Sequence, residues 1–361
     1  MVITRRACLK AGGLLLSGLN SGSFAATTPK YPRDMTKEDV ERWMTELSNW
    51  GKWGPDDQAG TVNLITAAKR KSAAGLVKEG VNVSLSLDAD LPKEGPTSGP
   101  PQSATPPAGG GQRGGRGGPG RSTWTMASRP PGPDPRPLAA YVVDTISTSY
   151  HGNNTTHLDA LSHIYFQGKI YNGYPQTTYT DRGAGKNDVM AFKEGIFTRG
   201  VLYDIPKLKG VPYMGDDEPI YVEDFEAWEK KAGFKLESGD VMLVRTGRWV
   251  RVKDKDKGPL NLNQATPGLY VSTVKWMRER GVAMLGSDVV QDVRPSRVEG
   301  VNQPIHQIGL NSLGMPLIDN CDLDAVSEAC AQRKRWTFLL TLNPLRIPGA
   351  TGSPVNPIAT F

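Results

Sequence analysis

Apolar residues at Val40, Trp43, Met44 and Leu47 recur at helical spacing, directly behind the capping-box sequence Thr36-Lys37-Glu38-Asp39. The pattern predicts a helix with one buried face. Thr66 predicts the start of a second helix running to Gly80, and Val81, Val83, Leu85 and Leu87 then alternate as a half-buried strand. Residues 141–146 read as a further strand. Beyond residue 200 the two periods alternate: strand 201–205, helix 222–231, strand 241–245 behind the turn Ser238-Gly239-Asp240, a helix from Ser272 to Gly281, strand 282–285, helix 323–331 and strand 336–342. That order predicts an α/β protein with a mixed sheet and helices packed on it. There is no internal repeat and no stretch of the length a membrane-spanning helix needs.

Composition changes the picture at two places. The chain has 361 residues, 38% hydrophobic and 22% charged, with a formal net charge of +6. Much of the excess sits in the first ten residues and in one Gly/Arg-rich stretch, not on a periodic face, which argues against a nucleic-acid binder. The N-terminus carries Thr4-Arg5-Arg6-Ala7-Cys8-Leu9-Lys10, a short apolar run and then Ser23-Phe24-Ala25. This predicts a twin-arginine export signal over residues 1–25 and a periplasmic or secreted mature protein. Residues 26–361 read as a single domain, interrupted at about 95–122 by a Gly/Pro-rich segment too poor in apolar residues to bury itself, expected to be a disordered insertion. Cys321 and Cys330 lack zinc-ligand spacing and are expected as small core residues, a disulfide being the alternative that export would permit.

The candidate chemistry is concentrated. Of the chain's four histidines, three fall in the run from His151 to His163, which includes His157-Leu158-Asp159 and is followed much later by His306. In extended chain, His157 and Asp159 at i and i+2 point to one side, and a helical turn from Asp159 would return His163 to it. Two imidazoles and a carboxylate so placed suit Zn²⁺, Mn²⁺ or Fe²⁺.

His157-Leu158-Asp159-Ala160-Leu161-Ser162-His163 resembles the HxDxxxH core of the cyclase-like metal-dependent hydrolases, a family that includes bacterial kynurenine formamidase and isatin hydrolase. Further stretches resemble its longer branch: Trp53-Gly54-Pro55-Asp56-Asp57, Gly168-Lys169-Ile170-Tyr171-Asn172-Gly173, Arg199-Gly200-Val201-Leu202, Gly239-Asp240-Val241, Arg245-Thr246-Gly247, Gly286-Ser287-Asp288 and the tail from Gly349 to Pro357. The resemblance runs from about residue 36 to the end, apart from the Gly/Pro segment. It implies a swivelling β/β/α domain, usually a homo-oligomer, that binds one or two divalent ions, Zn²⁺ or Mn²⁺, and a small-molecule substrate; the charge distribution leaves no nucleic-acid partner expected, and the short apolar run no membrane anchor once the signal is removed.

Residue by residue, the resemblance implies His157 and Asp159 as metal ligands, His163 as the catalytic acid/base, and His306 as a later ligand. Asp319 stands where the family commonly has a glutamate ligand, and Asn153 where many members have their first ligand histidine. His151, two residues upstream, is the preferred replacement because imidazole binds these metals better than an amide oxygen does. Trp50 and Trp53 are implied as walls of an aromatic substrate pocket, with packing anchors as the equal alternative. Asp288 is a candidate to orient a ligand histidine and Arg245 a candidate to hold a polar substrate group, a sheet-layer salt bridge being favoured for the latter. The expected activity is hydrolysis of a small amide, cyclic amide or lactone, in the manner of an arylformamidase. The rival is a non-catalytic periplasmic metal- or ligand-binding protein, for which Asn153 and Asp319 give some footing.

Overall fold

The computed structural model describes residues 30–89, 123–129, 141–258 and 260–361. The expected export signal and Gly/Pro-rich insertion lie outside the described residues. Nine strands form the main sheet: β1 (Asn82–Ser84), β2 (His157–Asp159), β3 (Ile196–Asp204), β4 (Val241–Arg245), β5 (Met284–Ser287), β6 (Leu317–Asp319), β7 (Thr337–Leu342), β8 (Gly352–Pro354) and β9 (Ile358–Thr360). Their order is β1-β9-β7-β3-β4-β5-β6-β2-β8. The four central strands β3, β4, β5 and β6 are parallel, and antiparallel strands extend the sheet on both sides. Val241, Met242, Leu243 and Val244 are wholly buried, as a parallel strand covered on both faces requires. The mixed sheet with packed helices is thus the fold that the pattern predicts.

The helices are α1 (Lys37–Glu46), α2 (Ala67–Ala74), α3 (Ile205–Lys209), α4 (Val222–Ala232), α5 (Arg248–Lys253), α6 (Thr273–Arg280), α7 (Pro304–His306) and α8 (Asp324–Arg333). The capping box of α1 forms between Thr36 and Asp39, and Val40, Trp43, Met44 and Leu47 are buried. α4 is anchored by Trp228, whose indole N–H donates to Leu202 O at 2.8 Å. α7 runs directly into a π-helix, Gln307–Leu313, which packs on α1 through the Ser312 hydroxyl and Met44 O at 2.7 Å. Among the described residues no helix is long and apolar enough to cross a membrane.

Two expectations are corrected. α2 ends at Gly75 rather than Gly80, because the backbone N–H groups of Glu79 and Gly80 donate to Phe361 O and draw the chain toward β9. β3 begins at residue 196, not 201; Thr198, Arg199 and Gly200 interrupt its apolar run but serve the sheet. Arg199 donates from Nε and a terminal nitrogen to the buried Asp240 carboxylate at 2.9 and 2.6 Å, and a Cβ on Gly200 would stand 2.5 Å from the Phe338 ring. The strand expected at 141–146 forms as Tyr141–Ser147 and, among the described residues, pairs with Thr123–Arg129 in a separate antiparallel ribbon.

Several motif segments prove to hold one another. Asp57 accepts from the Tyr171 hydroxyl at 2.9 Å, and the Asn172 amide donates to the carbonyls of Gly54, Pro55 and Asp57. Arg245 pairs with Asp204 and Asp324 within the sheet layer, at 3.2 and 2.8 Å. Cys321 and Cys330 are buried and unbonded.

Candidate metal centre

Strand register builds the centre. β2 lies antiparallel between β6 and β8, with His157 opposite Asp319 and Asp159 opposite Leu317. His157 and Asp159 share a sheet face because side chains alternate along a strand, and Asp319 joins them because directly opposed residues point to the same side. Asp319 ends a parallel strand, the edge at which α/β sheets gather ligands. After Asp159 the chain makes a tight turn rather than a helical one, closed by His163 N–H to Ala160 O at 2.9 Å, and it brings the His163 ring back over Asp159. His306 enters on α7.

The distances describe one cluster. His157 Nε2 is 3.4 Å from Asp159 Oδ1 and 3.8 Å from Asp319 Oδ2. His306 Nε2 is 3.8 Å from Asp159 Oδ2 and 3.5 Å from Asp319 Oδ2. His163 Nε2 is 3.9 Å from Asp159 Oδ2, and His151 Nδ1 is 2.9 Å from Asp159 Oδ1. The His151 and His163 rings stack at 3.9 Å, nearly parallel. His157, Asp159, His306 and Asp319 are buried, while His151 and His163 are partly exposed on a cavity of about 220 Å³ whose wall Asn153, Asn263, Arg294 and Gln303 help complete.

The imidazoles are oriented from behind. His157 Nδ1 faces Thr155 O at 2.8 Å, and His306 Nδ1 faces the Asp292 carboxylate at 2.6 Å. A carbonyl or carboxylate accepts only, so both Nδ1 atoms carry a proton and both Nε2 atoms turn onto Asp159 and Asp319. His151 Nε2 meets the Thr351 hydroxyl at 3.0 Å, with Nδ1 facing Asp159. Its ring lies against Gly352, where a Cβ would stand 2.9 Å from His151 Cε1 and 2.3 Å from Leu158 O. Asn153 turns its amide to Asn263 at 3.3 Å instead.

Electrostatics follow from this crowding. Burial by itself would raise Asp159, but His163 first, then His151 and His157, hold it well below the usual carboxylate range. Burial lowers His163 to about 4, with the other imidazoles adding to the effect against the pull of Asp159. Burial would lower His306 too, but Asp319 and Asp292 override it and raise it well above its ordinary value, so in the ion-free protein its Nε2 also carries a proton, one that a bound ion would displace.

A family model described as "Putative cyclase" matches residues 81–291. The chain belongs to this cyclase family. Among solved structures, one described as a novel cyclase is 30% identical, with coverage of 87% of this chain and 100% of its own and a TM-score of 0.72. Isatin hydrolase A from Ralstonia solanacearum is 20% identical over 81% of this chain and 95% of its own, with a TM-score of 0.50, a likeness of fold. No curated protein matches. The family model's match ends at Gln291; His306, Asp319 and the Thr351-Gly352 pair lie beyond it and reach the centre through α7, β6 and β8.

The donors of this cyclase fit a divalent ion. They form two overlapping triads that share Asp159: His151, Asp159 and His163, and His157, Asp159 and Asp319. Asp159 Oδ1 and His151 Nδ1 are buried and lack a well-directed hydrogen bond among the described residues. Ligand atoms about 2.0–2.2 Å from one ion stand about 3.0–3.4 Å apart, close to the spacing around Asp159. Trp50 and Trp53 do not reach this cavity. Trp50 donates its indole N–H to Asn311 O at 2.7 Å, packs beside Gly173 and lines a separate groove with Phe166 and Lys169, and Trp53 stacks under Lys52.

The sequence reading missed the residues behind the donors. Asp288 meets no histidine: its carboxylate accepts the backbone N–H groups of Thr246, Gly247 and Arg248 and the Thr246 hydroxyl. Asp292, four residues on, is the aspartate that orients His306, and it also accepts from Ile305 N–H at 2.7 Å. Gln291 donates to Asp319 Oδ1 at 2.9 Å. Asn320 donates to Gly152 O and Thr155 O and accepts from Arg248, which also donates to Asn153 O, so the loop carrying His151 is tied down. Position just beyond β5, at the carboxyl edge of the parallel strands, was the signal that marked Gln291 and Asp292.

Proposed function

We propose that this cyclase is a metal-dependent hydrolase of a small amide, cyclic amide or lactone, formamidase-like in its chemistry. The observation that carries the reading is the pair of Nε2 atoms, on His157 and His306, turned by hydrogen bonds behind the rings onto two buried carboxylates. His157, Asp159, His306, Asp319 and His151 would hold the ion. Bound there, Zn²⁺ or Mn²⁺ supplies a Lewis acid that polarises a carbonyl and brings the pKa of water toward neutrality.

The protein's own groups do the rest. His163, depressed to about 4 by burial, is neutral at pH 7 and accepts a proton at Nε2, the atom that faces the centre. Returning that proton to the leaving nitrogen or oxygen completes an acid/base cycle. His151, stacked on His163, holds that ring in plane. Ser162 faces no base, and its buried hydroxyl has no hydrogen-bond partner among the described residues, so it is no nucleophile.

The test measures metal content by mass spectrometry, then turnover of aryl formamides and small lactones in ¹⁸O-labelled water, with chelation and reconstitution. Metal-dependent turnover with label in the acid product is expected. A metal-bound chain that hydrolyses neither class overturns the reading in favour of a binding protein.

A further inference from the structure

Hydrolysis leaves one cation of the cavity without a role. Arg294 stands on the cavity wall with Asp319 and His306. Its backbone is bridged to Thr266 through Arg294 N–H to Thr266 O at 2.8 Å and the reverse bond at 3.1 Å. One guanidinium nitrogen donates to Leu262 O at 2.8 Å. Nε is buried and has no hydrogen-bond partner among the described residues. The nearest carboxylates are engaged elsewhere, Asp292 by His306 and Ile305 N–H, and Asp319 by Gln291 and the facing imidazoles. Burial lowers Arg294 below its ordinary value, with Asp292 and Asp319 acting on it only through space.

The approach to this wall is basic as well. The carbonyl that accepts the Arg294 hydrogen bond belongs to Leu262, and Leu262 also lines a depression with Arg248, Lys253, Lys255 and Lys257. Its carboxylate, Asp254, accepts from the Tyr213 hydroxyl. The amides of Asn263 and Gln303 on the cavity wall are neutral. A half-buried guanidinium whose Nε–H is unpartnered carries a desolvation cost that only an acceptor can offset, and a carboxylate matches the fork best.

We propose that Arg294 is a specificity residue that holds a carboxylate carried by the substrate in addition to the carbonyl that is cleaved. The substrate class is then a small amide or lactone bearing an anionic group, a deepening that rests on the hydrolase reading. The competing role for Arg294 is charge balance, in which it offsets Asp292 and Asp319 without touching substrate. The two roles differ in what a substitution does: charge balance affects every substrate alike, whereas recognition affects only anionic ones.

The full chain, loaded with Zn²⁺ or Mn²⁺, is assayed on N-formylanthranilate and formanilide, which differ by one ring carboxylate. Wild type is expected to favour the anion. R294Q should lower its kcat/KM by about 10–100-fold, chiefly through KM, and leave formanilide within about threefold. R294K, which keeps the charge but not the fork, should keep part of the preference. Equal losses on both substrates in R294Q, or no preference in wild type, overturn the proposal. In parallel, isothermal titration compares phthalate with benzoate on the same proteins and needs no turnover. If neither formamide reacts, the hydrolase reading fails, and the titration still decides this one: a phthalate preference present in wild type and lost in R294Q supports it, and equal preference in both refutes it. Should R294Q not fold, a carboxylate preference undiminished in R294K overturns it.

Discussion

The hydrogen bond from His306 Nδ1 to Asp292, at 2.6 Å, is the most sensitive support of the centre, and D292N tests it. Asparagine keeps the shape and one oxygen but replaces the other with an NH₂ donor. If the remaining oxygen stays on Nδ1, the Ile305 N–H, now bonded at 2.7 Å, loses its acceptor. If it serves Ile305, the NH₂ faces Nδ1 and drives the imidazole proton to Nε2, where the lone pair should face Asp319 Oδ2 at 3.5 Å. Losing a hydrogen bond to a buried charge costs about 1.5–3 kcal/mol. Changing the partner behind a ligand histidine typically costs about 10–100-fold in metal affinity. The two figures agree, since each 1.4 kcal/mol is about tenfold. Competition against a chromophoric chelator at pH 7 reads the affinity directly. The control is D288N: Asp288 is equally buried but holds backbone N–H groups of residues 246–248, so D288N should lower the melting temperature while metal affinity stays within about twofold. A folded D292N with wild-type affinity, or a D288N that loses as much, would refute the assignment of Asp292.

H163A should bind metal at the wild-type ratio while kcat falls by about 10²–10⁴; an active variant removes His163 from the chemistry, and lost metal makes it a ligand instead. G352A places a methyl 2.3 Å from Leu158 O and 2.9 Å from the His151 ring, so β8 must shift. A loss of about 1–3 kcal/mol is expected, together with a smaller metal-induced rise in melting temperature; an unchanged rise would show that His151 does not depend on this glycine. In the metal-free protein His163 is neutral in the fold down to about pH 4, while the unfolded chain takes up its proton near 6.5. Its contribution is therefore present above about pH 6.5 and is lost as pH falls toward 4, by up to about 3 kcal/mol. His306, held above its ordinary value, works the opposite way, stabilising at low pH and losing that contribution as pH rises. Denaturant melts of H163Q should therefore lose less stability than wild type between those pH values, and parallel curves would contradict the depressed His163.

Some of this molecule is legible within a few residues of chain. Thr36 and Asp39 close their capping box, and Val241–Arg245 is a strand, because caps and side-chain periodicity act locally. The shared face of His157 and Asp159 needs only the two-residue repeat of a strand. The wider motif resemblance reached His306 and Asp319, though not the groups that hold them. Those groups depend on register and docking. Asp288 and Asp292 follow the same strand four residues apart, and only the landing point of α7 decides which meets a histidine. His151 enters the centre because β8 presents a glycine where its ring must lie, 201 positions later in the chain. Trp50 is drawn to Asn311 rather than to the cavity by one half-buried indole hydrogen bond. Sequence thus determined which residue types could make a metal centre and which local elements carry them. Tertiary structure decided which side chains face one another, because strand register and helix docking are set by the packing of the whole core.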